Sequence, residues 1–270
     1  MKVLTTVEAF REWRRGAADP LGFVPTMGAL HAGHFSLMEH ARAECAAAVA
    51  SVFVNPTQFD DPDDCRNYPK TWETDLALAR EAGMDAVFAP SFEALYPDSY
   101  TYRVTETGRS PTLEGEHRPG HFDGVLTVVL KLFQIVAPGR AYFGEKDWQQ
   151  LDLVRGMAEA FFLPLEVIAC PTVREADGLA MSSRNRRLSV AARERAPELY
   201  RALVESATAA AARGRLAAAG FSVQYVEDAG TRRLAAVELE GVRLIDNIPL
   251  SETPCAAVGD AAPNLTGAAL

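Results

Sequence analysis

The sequence predicts an α/β fold, a parallel sheet flanked by helices, followed by a small α+β domain at the carboxyl end. Three observations carry this. Short apolar runs at residues 22–25, 46–54, 85–89, 141–143 and 165–169 alternate with segments of helical spacing, the pattern of parallel strands joined by right-handed crossovers. After residue 173 the style changes to an Ala- and Arg-rich helical stretch and then alternating segments, so we divide the chain into residues 1–173 and 174–270. Between the first strand and the helix that follows lies a His-x-Gly-His turn, His31-Ala32-Gly33-His34, at the place where α/β proteins bind ligands.

The elements follow in order. Thr5 and Glu8 form a capping box before a helix carrying Val7, Phe10 and Trp13. The strand at 22–25 leads into a helix at 35–45, where Leu37, Ala41 and Cys45 repeat at helical spacing. The apolar run 46–54 reads as a buried strand ended by Asn55-Pro56. Residues 60–70, rich in Asp, Asn and Pro, read as a loop, and 71–82 as a helix stopped by Gly83. Residues 107–124 read as a long loop, and 125–136 as a buried helix bounded by Gly124 and Pro138. The strand at 141–143 runs into Gly144-Glu145-Lys146-Asp147, and a helix follows to about residue 162. Residues 190–220 read as helical, 221–226 as a strand, and 235–239 with 242–245 as a hairpin turning at Glu240-Gly241. The tail from Ser251 reads as mobile.

Composition narrows the function. The chain has 270 residues, 48% of them hydrophobic, enough for one large domain or two smaller ones. Its net charge of −9 argues against a broad nucleic-acid surface, while leaving room for a local basic pocket. Cys45, Cys65, Cys170 and Cys255 are scattered, with neither a zinc-knuckle spacing nor a disulfide framework. No apolar run approaches roughly 18 residues, and no signal-peptide pattern opens the chain, so the expectation is a soluble cytoplasmic protein.

Two motifs carry chemistry. In Met27-Gly28-Ala29-Leu30-His31-Ala32-Gly33-His34, the strand-to-helix junction is expected to offer backbone N–H groups and the positive end of a helix dipole to phosphate. Gly28 and Gly33 are expected to let a nucleotide approach, and His31 and His34 to donate to phosphate oxygens as charge develops. A zinc site is the weaker alternative, because no nearby Cys or acidic residue completes a ligand set. Far downstream, Met181-Ser182-Ser183-Arg184 offers two hydroxyls and a guanidinium suited to a triphosphate. Taken alone it also fits a solvated basic loop with a serine cap. Together the two motifs resemble the bipartite signature of nucleotidylyltransferases and class I aminoacyl-tRNA synthetases, and the acidic balance disfavours the latter.

Further blocks sharpen the resemblance. Residues 25–34, Phe53-Val54-Asn55-Pro56-Thr57-Gln58-Phe59, Tyr68-Pro69-Lys70-Thr71, Phe143-Gly144-Glu145-Lys146-Asp147-Trp148-Gln149-Gln150 and 174–185 stand in the order found in the pantoate–β-alanine ligase family. The closing Arg243-Leu244-Ile245-Asp246-Asn247 also resembles that family's last strand. The resemblance implies a Rossmann-like first domain binding nucleotide and pantoate, and a small second domain bringing the Met-Ser-Ser-Arg loop. It implies ATP-dependent activation of (R)-pantoate to pantoyl adenylate with loss of pyrophosphate. Attack by β-alanine then gives pantothenate and AMP.

By the same resemblance His34, His31, Lys146 and Arg184 are the catalytic candidates. ATP is expected to meet residues 27–34, Gly144, Glu145, Lys146, Asp147, Val173, Met181, Ser182, Ser183 and Arg184. His34 is the family's proposed catalytic acid, although a carboxylate nucleophile needs no deprotonation and an electrostatic role fits better. Gln58 and Gln150, with Asn55 as a lesser candidate, are expected to hold pantoate, and Gln58 also to serve β-alanine. Arg118, His121 and Phe122 are candidates for touching substrate or pyrophosphate. Mg²⁺ is expected with ATP, with Asp75 as one candidate ligand. A homodimer is implied, with no nucleic-acid or membrane partner. The stretch 207–220 is shorter than the family pattern by about one helix, either by natural deletion or because a segment is absent from the chain. A related transferase acting on a phosphorylated acceptor, or a non-catalytic nucleotide-binding protein, are the competing readings.

Overall fold

A computed structural model describes residues 1–250, so the tail from Ser251, with Cys255, lies outside the described residues. Six parallel strands form the large sheet: β1 (Lys2–Leu4), β2 (Leu21–Thr26), β3 (Ala47–Val52), β4 (Ala86–Phe88), β5 (Arg140–Gly144) and β6 (Glu166–Cys170). Their spatial order is β1-β4-β3-β2-β5-β6. From β2 the chain steps to β3 on one side, while β5 lies on the other, so the order reverses between β2 and β5. Three antiparallel strands, β7 (Ser222–Ala229), β8 (Arg232–Leu239) and β9 (Val242–Pro249), make the small sheet.

The apolar runs become strands because both faces of the large sheet are covered. On one face Phe10, Phe23, Phe88, Leu126 and Phe133 pack together; on the other Val24, Met38, Ala50, Val87 and Tyr142 do. Phe23 and Val24, adjacent in β2, therefore serve opposite cores, as the two-residue period requires. Each of these Phe, Leu, Val and Met side chains contributes about 1.5–3 kcal/mol on burial, and Leu126 and Phe133 thereby anchor the helix His121–Val136 against the sheet. The small sheet has its own core of Leu199, Leu203, Leu216, Phe221, Val237 and Leu244.

Several local expectations change. The first helix is Val7–Arg15 and its cap is Thr6, whose hydroxyl accepts from Ala9 N at 3.1 Å, rather than Thr5. The edge strand β1 has only three mostly exposed residues and gave no periodic signal. The loop at 60–70 contains a short helix, Pro62–Arg66, capped by Asp61. The loop at 107–124 carries the helix Glu114–His117, and the next helix begins at His121 rather than 125. The stretch 190–220 splits into Val190–Arg195, Glu198–Glu205 and Ala209–Ala218. Pro197 has no N–H to continue the first helix, and Thr208 caps the third by accepting from Ala211 N at 3.1 Å.

A buried cluster ties the small sheet to the helix Glu114–His117. Glu114 is 7% exposed and receives Arg243 of β9 in a two-pronged contact, Nη1 to Oε2 at 2.7 Å and Nη2 to Oε1 at 2.6 Å. The Tyr225 hydroxyl of β7 donates to the same carboxylate at 2.6 Å.

Candidate active site

The main cleft opens at the carboxyl ends of β2, β5 and β6, where the strand order reverses and α/β proteins place ligands. It encloses about 1330 Å³ of empty space open to solvent. Of the residues singled out in the sequence, Met27, His31, Gly33, His34, Gln58, Gly144, Lys146, Asp147, Gln150, Val173, Met181, Ser182, Ser183 and Arg184 all line it. Gly28, Ala29, Leu30, Ala32, Glu145, Asn55 and Asp75 do not.

The His-x-Gly-His turn starts the helix Ala32–Glu44, with His31 as its cap. His31 Nδ1 accepts from Gly33 N at 3.1 Å, which places the ring proton on Nε2. A Cβ on residue 33 would sit 2.9 Å from the His31 ring. Gly33 thus leaves room for the His31 ring, and it also lines the cleft. The His31 and His34 rings lie 4.1 Å apart, centre to centre. Burial, and then the positive charge of Lys146, push His31 down to about 4, although Asp147 opposes this. Burial, the His31 ring and Lys146 push His34 down to about 3. Both imidazoles are neutral in the free protein at pH 7. His34 Nδ1 is buried without a hydrogen-bond partner. A neutral His34 ring carries one N–H and suits the electrostatic role better than that of an acid.

The segment before this turn works differently from the expectation. Gly28 has φ +80°, a conformation that glycine adopts without steric penalty. Its N–H bonds Thr26 Oγ1 at 3.2 Å. Ala29 N and Leu30 N donate to Asp75 at 3.1 and 2.8 Å, and Thr71 Oγ1 donates to Asp75 at 3.0 Å. These amides are spent inside the protein and are not available to phosphate. Asp75, 2% exposed, is correspondingly spent on them. Its candidacy as a metal ligand gives way to a supporting role, and among the described residues no group of three His, Cys, Asp or Glu side chains is arranged for a metal. Replacing Asp75 by Ala should orphan two buried donors, at about 1–3 kcal/mol each. A urea denaturation midpoint close to that of the unaltered protein would remove Asp75 from this role.

Lys146 lies on the one-turn helix Glu145–Asp147 after β5, with Nζ 3.7 Å from Asp147. Facing it, Ser182 caps the turn Ser183–Arg187 by accepting from Arg184 N at 3.2 Å. Arg184 and Arg187 both bind Asp64, at 3.1 and 2.6 Å. Partial burial would push the Asp64 carboxyl up, but the two guanidiniums hold it below its ordinary value. The Met-Ser-Ser-Arg loop is thus tied down through a residue that the sequence reading placed in a plain loop.

Gln58 sits at the cleft on the one-turn helix Pro56–Gln58. Asn55 is 1% exposed and donates from Nδ2 to Gln58 Oε1 at 3.1 Å and to Gly124 O at 3.2 Å. Its Oδ1 accepts from Tyr96 and Thr57 hydroxyls, both at 3.0 Å. Asn55 therefore orients Gln58 and does not itself line the cleft. His121 Nδ1 donates to Gln58 O at 2.7 Å and its Nε2 accepts from Arg118 at 3.2 Å. Arg118 also binds Asp60 at 2.9 Å. Arg118, His121 and Phe122 line a smaller cavity that shares Lys146, Asp147, Gln150, Ser182 and Arg184 with the main cleft. Sequence reasoning missed the apolar wall beside Gln58, made by Phe53, Val125, Val128, Val129, Leu132 and Phe143, and it gave no role to Tyr68 at the rim. The run 125–136 signalled burial but not which turns face a ligand.

The pattern of pantoate-beta-alanine ligase matches residues 2–249. This chain belongs to that family. A pantothenate synthetase from Bdellovibrio bacteriovorus is 53% identical over 249 residues, covering 92% of this chain and 99% of the relative. The crystal structure of the Thermus thermophilus pantothenate synthetase superposes with a TM-score of 0.85 at 44% identity, covering 92% of this chain and 99% of that one. A pantoate-beta-alanine ligase from Francisella tularensis, crystallised with beta-gamma ATP and beta-alanine, gives 0.87 at 37% identity, covering 92% and 97%. The family's large parallel sheet and small antiparallel sheet are those of this chain. The B. bacteriovorus relative carries no helix-length segment that this chain lacks, since 249 aligned positions account for nearly all of it. The short stretch at 207–220 is thus shared with a family member.

Proposed function

We propose that this chain condenses (R)-pantoate with β-alanine at the expense of ATP, through pantoyl adenylate, releasing pyrophosphate and AMP. One observation carries the reading. A slot with an apolar wall and two uncharged amides, Gln58 and Gln150, opens into the same cleft as His31, His34, Lys146 and the Ser182–Arg184 loop. Apolar side chains suit the branched hydrocarbon body of pantoate, and the amides its hydroxyl and carboxylate. A phosphorylated acceptor would leave its charge facing two neutral amides. β-Alanine is expected to meet Gln58 after adenylation.

The chemistry asks for position and electrostatics. The pantoate carboxylate must lie in line with the α-phosphorus, and such alignment supplies about 7–11 kcal/mol in favourable cases. Neutral His31 and His34 donate N–H groups to phosphate oxygens, and Lys146 places a point charge beside the leaving pyrophosphate. Arg184 exchanges part of its contact with Asp64 for phosphate. Ser182 and Ser183 close over the triphosphate, Asp147 takes the ribose, and Val173 and Met181 frame the adenine. Mg²⁺ bound with ATP would help neutralise the phosphate charge beside Lys146 and Arg184.

We further propose that residues 1–173 bind the substrates, that 174–270 close over them, and that the protein works as a cytoplasmic homodimer. Among the described residues no helix is long and apolar enough to cross a membrane.

The test is exchange of labelled pyrophosphate into ATP with Mg²⁺ and without β-alanine. Exchange that depends on pantoate is the expected result. Exchange with a phosphorylated acceptor instead would favour the related transferase, and ATP binding without exchange under any acceptor would favour a non-catalytic protein. Gln58→Ala should raise the pantoate KM or lower kcat while sparing the ATP KM. Unaltered pantoate kinetics would take Gln58 out of the site.

A further inference from the structure

The segment 243–247 in β9 resembles the family's last strand, yet none of the chemistry above uses it. Asp246 and Asn247 are 3% and 2% exposed, although both are polar. Buried polar side chains are retained where their bonds are satisfied, and both are.

Asp246 takes the Arg174 guanidinium at 2.6 and 2.9 Å, and its Oδ1 also accepts from Asn247 N at 2.8 Å. Arg174 pairs through its backbone with Ala180, directly before Met181 and Ser182. Asn247 points the other way in its bonding. Its Nδ2 donates to Glu145 O at 2.8 Å and to Lys146 O at 2.9 Å, while its Oδ1 accepts from Arg232 at 3.0 Å. Among the described residues no other side chain hydrogen-bonds those two carbonyls.

We infer that Asn247 is a positioning residue for adenylation: it fixes the root of Lys146 in register with the Ser182–Arg184 loop. Two neighbouring residues on one strand of the small sheet thereby hold the two parts of the cleft assigned to the triphosphate. A lysine with a flexible four-carbon stem gains directed charge only if its backbone is held, and the two amide donors of Asn247 hold it. The inference rests on the reading of Lys146 as a phosphate cation.

The experiment compares Asn247→Ala, Asn247→Asp, Lys146→Ala and the Lys146→Ala/Asn247→Ala double variant by pantoate-dependent pyrophosphate exchange. Asn247→Asp replaces the donor group with a second oxygen against two carbonyls; Asn247→Ala only removes it. Thermal melts establish that each is folded. Asn247→Ala should reduce kcat/KM for ATP about tenfold or more, with Asn247→Asp worse and the pantoate KM moved less than about twofold. In the Lys146→Ala background the Asn247→Ala effect should shrink below about twofold, because the residue acts through that lysine. A full additional loss in that background, unchanged ATP kinetics, or failure of both single variants to fold would overturn the inference. A Lys146→Ala protein with unchanged ATP kinetics would instead overturn the reading of Lys146 itself.

Discussion

Replacing His34 by alanine is expected to slow adenylation about 10²–10³-fold, the usual consequence of deleting one oriented donor to a transition-state charge. The expectation rests on where the ring is held. His34 is neutral, its pKa pushed down to about 3 by burial, by the His31 ring and by Lys146. A donor already desolvated in the cleft acts more strongly on charge that builds on the phosphate. Adenylate formation measured in a single turnover, on protein shown to be folded, is the deciding readout. A loss smaller than about threefold would remove His34 from the transition state.

The same electrostatics separates a neutral donor from a proton-donating acid. The pH profile of kcat/KM reports ionisations of the free enzyme. With His31 at about 4 and His34 at about 3, neither ring changes charge between about pH 5 and 8. The profile should carry no imidazole inflection in that window. Loss of activity as pH rises through about 6.5 would mean that a charged histidine is required.

What was legible in the sequence follows from range. Strands with both faces buried announce themselves as apolar runs, so five of the six parallel strands were visible and only the mostly exposed three-residue β1 was not. Motif residues at strand ends were readable because the junction itself aims them: His31, His34, Lys146 and Ser182 all reach the cleft. Bonds between distant residues were not readable. Ala29 and Leu30 looked like phosphate donors, because nothing local shows that Asp75, 46 and 45 residues away, consumes their amides. Asp75 looked like a metal ligand for the same reason. Asn55 looked like a pantoate ligand, although its amide is divided between Gln58 and Gly124 O. A sequence names the polar groups; the fold decides which are already satisfied.

Loss of the Glu114 carboxylate should cost about 3–5 kcal/mol of stability. Burial alone would push its carboxyl up, but the two-pronged contact with Arg243 and the Tyr225 hydroxyl outweigh burial and hold it at about 2, against an ordinary 4.5. At ~1.4 kcal/mol per pH unit, that depression corresponds to about 3 kcal/mol of stability favouring the folded state. Glu114→Gln keeps the shape, but leaves Arg243 with its charge unmatched between β9 and the helix Glu114–His117. Breaking a buried pair from one side costs about 3–5 kcal/mol. The sign of the pH dependence follows from the lowered folded-state value. The stabilisation is fully present above about 4.5 and is lost as pH falls toward about 2, where the carboxylate is protonated in both states. Urea denaturation of the two proteins in parallel should therefore show a large deficit for Glu114→Gln at pH 7, shrinking steadily below about pH 4.5, as other acid-sensitive groups cancel in the difference. A deficit that stays constant from pH 7 down to about 3 would mean that the charge on Glu114 contributes little and that shape alone holds this helix to the small sheet.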